Sequence, residues 1–288
     1  MLLNKDTWTQ VIANYEMPLR APDDNIPVVN GQRHEEGKED GGESILSVCT
    51  EIARRITNFL DEDVPTPLLK QVQRQTRVAL GVITTALERY SIDELSLSYN
   101  GGKDCLVLLI LLLAALATHP GPLPKALQTV YIVSEHPFAE VDEFVEESVK
   151  KYRLDLSRYA MPMKPAFRNY LADHKQVKAI LVGTRRTDPH GQILTHFDRT
   201  DHGWPDFMRV HPVIDWHYVE IWAFIRHLNV PYCSLYDQGY TSLGGTTDTH
   251  PNPALKAMEL GDPKDGKTGF RPAYELVEDK AERLGRDW

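Results

Sequence analysis

The sequence predicts an α/β fold, in which a doubly wound, mostly parallel sheet carries helices on both faces. Strands and helices alternate from Leu95 onward, as is typical of parallel sheets. The run from Leu106 to Ala117 carries no charge, which indicates a helix buried on all sides. A glycine-rich turn separates this run from the preceding strand. N-terminal helices and a loop-rich C-terminal region complete the prediction.

The elements follow in order along the chain. The first 42 residues are rich in Pro, Gly and charge, which favours a flexible N-terminal extension. Apolar residues at helical spacing predict helices at about 43–60 and 67–90. We expect strands at 95–99, 129–135, 158–163, 178–184 and 209–215, with helices at 104–117, 138–152, 167–175 and 216–228. After Pro231 the chain is loop-rich, and a closing helix is expected near 273–285.

Composition excludes several classes of protein. Acidic residues number 41 against 32 basic ones, so the net charge of -9 gives no overall attraction for nucleic acid or anionic membranes. Three cysteines without a C-x-x-C pair argue against a disulfide framework or a cysteine zinc site. The N-terminus has no apolar signal core, and 106–117 is shorter than the roughly 20 residues of a membrane span. We therefore expect a cytoplasmic monomer without nucleic-acid or membrane partners.

The stretch SYNGGKDC, residues 98–105, joins the first strand to the apolar helix. Glycines let backbone amides approach an anion, and a helix N-terminus adds partial positive charge. Lys103 contributes a full charge. The stretch matches neither the P-loop nor the G-x-G-x-x-G pattern. We interpret it as a phosphate-binding turn, although an ordinary tight turn with Asp104 as a helix-start carboxylate would contain the same glycines.

Several stretches together resemble the FAD synthase family, in the PAPS reductase-like, adenine nucleotide α-hydrolase-like (Rossmann-like) group. They are SYNGGKDC, YIVSEHPFAEVDEFV (131–145), GTRRTDP (183–189), the run from Asp201 to Gly244, PNPAL (251–255) and AERLGR (281–286). The resemblance implies that the chain transfers AMP from ATP to FMN with Mg²⁺, giving FAD and pyrophosphate. The resemblance covers roughly Leu95 to Arg286. We expect three parts: the extension at 1–42, packed helices at 43–90, and a nucleotide-binding catalytic domain at 91–288 with a C-terminal flavin- and phosphate-binding segment.

With this resemblance, catalytic roles are expected for Asn100, Asp104, Asp188, Arg283 and Arg286, and magnesium ligation for Asp104 and Asp188. Residues expected to bind the substrates ATP and FMN are Ser98, Tyr99, Gly101, Gly102, Lys103, Ile132, Ser134, Gly183, Arg185, Arg186, Asp201, Gly203 and Trp204. Strand alternation lets only one of Arg185 and Arg186 face the site. Arg283 and Arg286 would share one face of a closing helix, where phosphate oxygens suit guanidinium forks. Asp201 would accept the flavin imide N–H, and Trp204 would stack on the ring.

Ordinary structural roles remain open for several of these residues. Asp188 precedes Pro189 and also fits an Asx turn. Trp204 fits a core aromatic, and the two C-terminal arginines fit a solvated helix. At the level of function, the alternatives are an ATP sulfurylase or sulfonucleotide reductase on the same fold, and a non-catalytic nucleotide sensor. A reductase needs a nucleophilic cysteine near the C-terminus, and no cysteine follows Cys233.

Overall fold

The computed structural model describes residues 44–257 and 269–287, so the predicted extension at 1–42 lies outside the described residues. Its helices are α1 (Ile45–Asp61), α2 (Pro67–Arg89), α3 (Lys103–Leu116), α4 (Ala139–Tyr152), α5 (Met163–Asp173) and α6 (Tyr218–His227). Its strands are β1 (Leu95–Ser98), β2 (Leu127–Ile132), β3 (Leu154–Tyr159), β4 (Ala179–Leu181), β5 (Phe197–Arg199) and β6 (Met208–Val210). No helix in these two ranges is long and apolar enough to cross a membrane.

The six strands form one sheet in the order β3-β2-β1-β4-β6-β5. All neighbours pair in parallel except β5 with β6. The mostly parallel α/β fold is therefore confirmed. Leu97 of β1 pairs with Thr129 of β2 on one side and Leu181 of β4 on the other. The strand order reverses at β1, and ligands of such sheets bind beyond the carboxyl ends of the strands at this reversal.

Helix α3 is buried on all sides, as its composition predicts. Every residue from Cys105 to Leu116 is buried, and α3 packs against α1, α2 and α6. A buried Leu, Val or Ile side chain contributes about 1.5–3 kcal/mol, so this run anchors the helix firmly. The N-terminus of α3 is consequently held at a fixed place beyond the carboxyl end of β1.

The two N-terminal helices begin at capping residues. Ser44 accepts a hydrogen bond from the Ser47 amide at the start of α1, and Thr66 accepts one from the Leu69 amide at the start of α2. Side-chain caps of this kind satisfy amides that have no partner within the helix. The Gln73 amide group donates to the carbonyls of Phe59 and Glu62, which joins α2 to the end of α1.

Two strands differ from the prediction. Strand β3 covers 154–159 rather than 158–163. Arg153 ends α4 in the left-handed conformation, and the chain reverses there, so that the next residue, Leu154, already pairs with Leu127 of β2. Strand β5, Phe197–Arg199, was not predicted. It is short and partly exposed, and its place at the sheet edge depends on long-range pairing with β6 rather than on an apolar pattern.

The predicted closing helix is wrong. The region 273–285 contains two short 3₁₀ turns, Ala273–Glu275 and Asp279–Ala281. Asp279 accepts hydrogen bonds from the Tyr218 amide (2.7 Å) and lies 2.6 Å from the His217 ring nitrogen, so it caps the start of α6. The side chain of Glu282 is buried, and its carboxylate accepts hydrogen bonds from Lys103 and Arg185. These tertiary contacts hold the segment in an irregular path.

Candidate functional site

The turn between β1 and α3 is shaped by its own side chains. Gly101 has φ +74°, and a Cβ there would lie 2.9 Å from a methyl carbon of Val145. The Asn100 side-chain oxygen accepts hydrogen bonds from the Gly102 amide (3.0 Å) and the Cys105 thiol (2.9 Å). Burial raises the pKa of Cys105 to about 12, so the thiol stays protonated and can donate. The turn is therefore held in one conformation by Asn100 and Cys105.

Two amides expected to face a phosphate have partners inside the protein. The Lys103 amide donates to the Tyr236 hydroxyl at 2.8 Å, and Tyr236 is 1% exposed. The Gly102 amide is held by Asn100. Both amides thus have partners within the protein, and their predicted contact with phosphate stays a prediction. An anion here would interact with the remaining turn and with the positive end of α3.

Tyr99 and Ser98 are placed differently from each other. Tyr99 is fully buried, and its hydroxyl forms a 2.8 Å hydrogen bond with Ser148. Its side chain belongs to the core, and the predicted contact of Tyr99 with substrate stays a prediction. Ser98 is half-buried at the end of β1 and stays a prediction.

A cluster of buried charges lies at the N-terminus of α3. Lys103 pairs with Asp104 (Nζ–Oδ2 2.9 Å) and with Glu282. Arg185 is fully buried and pairs with Asp104 (Nε–Oδ1 2.8 Å) and with Glu282. Its Nη2 also lies 3.6 Å from Asp188 Oδ1. We call Lys103, Asp104, Arg185, Asp188 and Glu282 the ion cluster; it contains two cations and three carboxylates.

The surroundings of the ion cluster shift the pKa values of Lys103, Asp104 and Asp188. Burial lowers the pKa of Lys103, but Asp104 and Glu282 outweigh this and hold it above its ordinary value. Burial raises the pKa of Asp104, but Arg185 and Lys103 lower it more, so the carboxylate stays ionised. The pKa of Asp188 is raised, first by burial and then by the nearby Asp104 carboxylate. The site thus holds fixed charges of both signs away from solvent, where electrostatic interactions are strong.

The structure distinguishes the two adjacent arginines. Arg185 enters the ion cluster, whereas Arg186 is half-exposed and pairs with Asp215 at 2.7 Å. Arg186 also donates to the carbonyls of Gln192 (3.0 Å) and Leu194 (2.9 Å). The side chain of Arg186 thus supports the loop after β4, and its predicted contact with substrate stays a prediction.

Asp188 lies in the turn that follows β4. Its Oδ2 accepts a hydrogen bond from the amide of Arg185, three residues earlier, at 2.8 Å, so the carboxylate helps to close this turn. Its Oδ1 still faces Arg185 at 3.6 Å. Asp104 and Asp188 thus meet at one arginine. In the described ranges 44–257 and 269–287, no group of three or more His, Cys, Asp or Glu side chains is arranged to hold a metal ion.

Gly183 brings β4 against the start of α3. A Cβ at this position would lie 2.8 Å from the Cys105 amide nitrogen and 3.0 Å from the Asp104 carbonyl carbon. Only glycine allows this approach, which places the ends of β1 and β4 around one helix terminus. The role of Gly183 in the structure is close packing, and substrate contact stays a prediction.

The end of β2 faces a second loop. A Cβ at Gly245 would lie 2.6 Å from the Ser134 hydroxyl oxygen, so Ser134 and this loop are in close contact. The Thr246 amide donates to the His136 carbonyl at 2.8 Å. Ile132 is the last residue of β2. The predicted adenine and ribose contacts of Ile132 and Ser134 remain predictions at this edge.

Arg286 is bound to the same loop. It donates to the carbonyls of Leu243 (3.1 Å) and Asp248 (3.3 Å), and its backbone forms a β-bridge with Thr249. Arg283 lies in a turn, and the Arg286 amide donates to its carbonyl at 3.0 Å. The expected pairing of Arg283 with Arg286 on one helical face is therefore wrong, because the segment is not helical. Their roles at phosphate stay predictions.

The stretch from Asp201 to Trp204 forms a tight turn between β5 and β6. Gly203 has φ +73°, and the Trp204 amide donates to the Asp201 carbonyl at 2.9 Å. Trp204 is 36% exposed and lies 6.3 Å from the Phe167 ring. Asp201 is 63% exposed and lies 3.4 Å from His202. An exposed aromatic face beside an exposed carboxylate suits the predicted flavin contact, although the contacts of this turn are with α5 rather than with the ion cluster.

Three residues of the site were not predicted: Glu282, Tyr236 and Cys105. Glu282 precedes Arg283 in the stretch AERLGR, and Tyr236 lies in the long stretch from Asp201 to Gly244. Their position within stretches that resemble the FAD synthase family was the sequence feature that could have identified them. Their roles depend on tertiary contacts, since Lys103 and Glu282 are 179 positions apart.

Known proteins share this fold and these motifs. The model of the phosphoadenosine phosphosulfate reductase domain matches residues 94–170 and 158–251, more than half of the chain. A probable FAD synthase of Schizosaccharomyces pombe is 42% identical over 240 residues, which are 82% of this chain and 88% of that protein.

Two solved structures extend the likeness to three dimensions. Candida glabrata FMN adenylyltransferase in complex with FAD and inorganic pyrophosphate is 29% identical, with a TM-score of 0.78, and the match covers 86% of this chain and 98% of that one. The same enzyme with FMN and the ATP analog AMPCPP matches with a TM-score of 0.78 and 29% identity, over 85% and 100% of the two chains. This chain therefore belongs to the phosphoadenosine phosphosulfate reductase domain family and, within it, to the FAD synthases.

Proposed function

We propose that this chain transfers AMP from ATP to the phosphate of FMN, giving FAD and pyrophosphate. The observation that carries the proposal is the ion cluster at the start of α3, where buried Lys103 and Arg185 lie beyond β1 at the reversal of the strand order. The chain is 42% identical to a probable FAD synthase. Solved relatives hold FMN with an ATP analog, and FAD with pyrophosphate.

Charge and position account for the chemistry. An oxygen of the FMN phosphate attacks the α-phosphorus of ATP, a new P–O bond forms, and the bond to the β-phosphate oxygen breaks with its electron pair leaving on pyrophosphate. The nucleophile is already anionic, so the enzyme has to offset repulsion between two anions and stabilise the leaving group. Lys103 and Arg185 supply fixed positive charge for the phosphates, and we assign Arg283 and Arg286 to the same task.

The carboxylates of the ion cluster suit a divalent cation. Magnesium usually binds one or two protein carboxylates together with substrate phosphates and waters. Asp104 and Asp188 converge on Arg185 and fit this donor set. We propose that these two residues hold Mg²⁺, which when bound would neutralise charge on the triphosphate. Asp188 also fixes the loop after β4 through the Arg185 amide.

The remaining substrate contacts divide between two loops. We assign the flavin ring to Trp204, whose partly exposed face can stack, and the imide N–H to Asp201. We assign adenosine to the end of β2, near Ile132 and Ser134. The part at 91–288 would then be the catalytic domain, supported by the helices at 43–90.

The cysteines argue against thiol chemistry, and therefore against a sulfonucleotide reductase. Cys49, Cys105 and Cys233 are buried and free. Burial raises the pKa of Cys49 and Cys105 to about 12 and that of Cys233 to about 11, so a nucleophilic thiolate does not form near neutral pH. Free buried thiols also fit a reducing compartment, and we propose a cytoplasmic monomer that acts on small molecules.

The proposal is tested by incubating the purified chain with FMN, ATP and Mg²⁺, and separating flavins by chromatography. We expect FAD and pyrophosphate in equal amounts. Asp188→Asn should nearly abolish turnover, whereas Asp215→Asn, on the exposed partner of Arg186, should retain it. Absence of FAD from the wild-type reaction in the presence of Mg²⁺ would refute the proposed function.

A further inference from the structure

Glu282 is the most buried carboxylate of the ion cluster. The residue is 5% exposed. Its main-chain carbonyl accepts hydrogen bonds from the Thr241 hydroxyl (2.5 Å) and the Asn252 side-chain nitrogen (3.3 Å). Thr241 and Asn252 are themselves buried. The backbone of Glu282 is therefore held independently of its charge.

The Glu282 carboxylate bridges the two cations of the site. One oxygen pairs with Lys103 Nζ and the other with Arg185 Nη2. Asp104 pairs with the same two cations, at 2.9 Å from Lys103 Nζ and 2.8 Å from Arg185 Nε. Lys103 and Arg185 thus share two carboxylates, which fix the direction of both side chains.

Removal of the Glu282 charge would leave a different site. Lys103 and Arg185 repel each other, and each would keep one oxygen of Asp104 as its close partner. Buried charges are stable only when they are paired. Both cations would then move, and Asp104 would be drawn more strongly toward them.

We propose that Glu282 is a positioning residue for the adenylyl-transfer reaction, holding Lys103 and Arg185 in the arrangement that receives the phosphates of ATP. The inference rests on the proposed function. Glu282 acts through the two cations, so its effect falls on ATP and on the chemical step. The flavin contacts assigned to Asp201 and Trp204 belong to a separate turn that packs on α5.

The test compares Glu282→Gln, which keeps size and removes charge, with Glu282→Asp, which keeps charge and shortens the reach. Kinetics with ATP varied should show kcat/KM reduced about tenfold or more for Glu282→Gln. Glu282→Asp should be intermediate, since one of the two bridges is lost. FMN affinity, measured by quenching of flavin fluorescence without ATP, should stay within about twofold of wild type in both variants.

Two further variants keep the proposal testable if Glu282→Gln does not fold. Thr241→Val keeps volume and removes the hydroxyl that holds the Glu282 carbonyl, so it should lower kcat/KM for ATP in the same direction and by less. Glu278→Gln changes an exposed carboxylate of the same segment and should leave both constants unchanged.

Several results would overturn the inference. A lower KM for ATP in Glu282→Gln would show that the carboxylate competes with phosphate. An equal loss of ATP and FMN binding, together with a lower melting temperature, would show a purely structural role. Wild-type kinetics for ATP in Glu282→Gln would also refute it. A wild-type enzyme that makes no FAD would instead refute the proposed function.

Discussion

Gly183→Ala tests whether close packing between β4 and α3 sets the geometry of the site. A Cβ there would lie 2.8 Å from the Cys105 amide nitrogen, against 3.4 Å for the shortest ordinary contact. The helix start or the strand end must therefore move by about 0.6 Å. Both atoms in conflict belong to backbone, so no side-chain rotation relieves the overlap.

Overpacking of a rigid region costs about 1–3 kcal/mol, and a displacement approaching 1 Å at a reacting centre can cost about a hundredfold in rate. We expect Gly183→Ala to lose about 1–3 kcal/mol of unfolding free energy in urea. We expect kcat for FAD formation to fall by tenfold to about a hundredfold. Urea titration followed by circular dichroism and the chromatographic assay measure the two quantities.

Gly81→Ala is the matched control. Gly81 lies within α2, and a Cβ there would meet no atom within 4 Å. Alanine in a helix is more stable than glycine by about 0.5–1 kcal/mol, so this variant should gain stability and keep its activity. Unchanged stability and rate in Gly183→Ala would refute the packing argument.

Two more predictions follow from the ion cluster and the sheet edge. Arg185→Lys should abolish most activity, because one ammonium cannot pair with both Asp104 and Glu282 as the guanidinium does. Arg186→Lys should keep the rate of FAD formation within about threefold of wild type. Similar losses of rate in the two variants would contradict the assignment of Arg185 to the site. His211 is 1% exposed, and burial lowers its pKa in the folded state. As pH falls below about 6.5, this side chain is therefore protonated in the unfolded state before it is protonated in the folded state. Stability should therefore be fully present above that pH and decline below it, by at most about 1.4 kcal/mol per pH unit for this group. His211→Asn should show a shallower decline in urea titrations between pH 7.5 and 5, and an identical slope would exclude His211 as the cause.

Local sequence patterns predicted most of the framework. Helical spacing in 43–60, the uncharged run after Lys103 and the apolar strand before Gly183 each identified an element that the structure contains. These patterns are local, because burial of one face of an element gives regularly spaced apolar residues and burial of all faces gives an uninterrupted apolar run. Strand β5 has no such pattern, because its residues are partly exposed and the strand is defined by its pairing with β6.

The site was predicted in part, for the same reason. Lys103, Asp104, Asp188 and the pair Arg185/Arg186 were predicted from their places after strands together with the family resemblance, and the structure brings Lys103, Asp104, Arg185 and Asp188 together. The predicted closing helix is wrong, and a solvated helix was the alternative role considered for Arg283 and Arg286. Burial of Glu282 between two cations depends on residues 97 and 179 positions away, which no local pattern records.

The span between Lys103 and Glu282 also bears on the order of folding. Loop closure over such a distance is slow compared with helix formation, so α3 and its neighbours can form well before Glu282 pairs with Lys103. We expect a folding intermediate to contain the sheet and yet to bind no nucleotide. Stopped-flow refolding with a fluorescent ATP analogue would show this as a lag between secondary structure and binding, and simultaneous phases would contradict it.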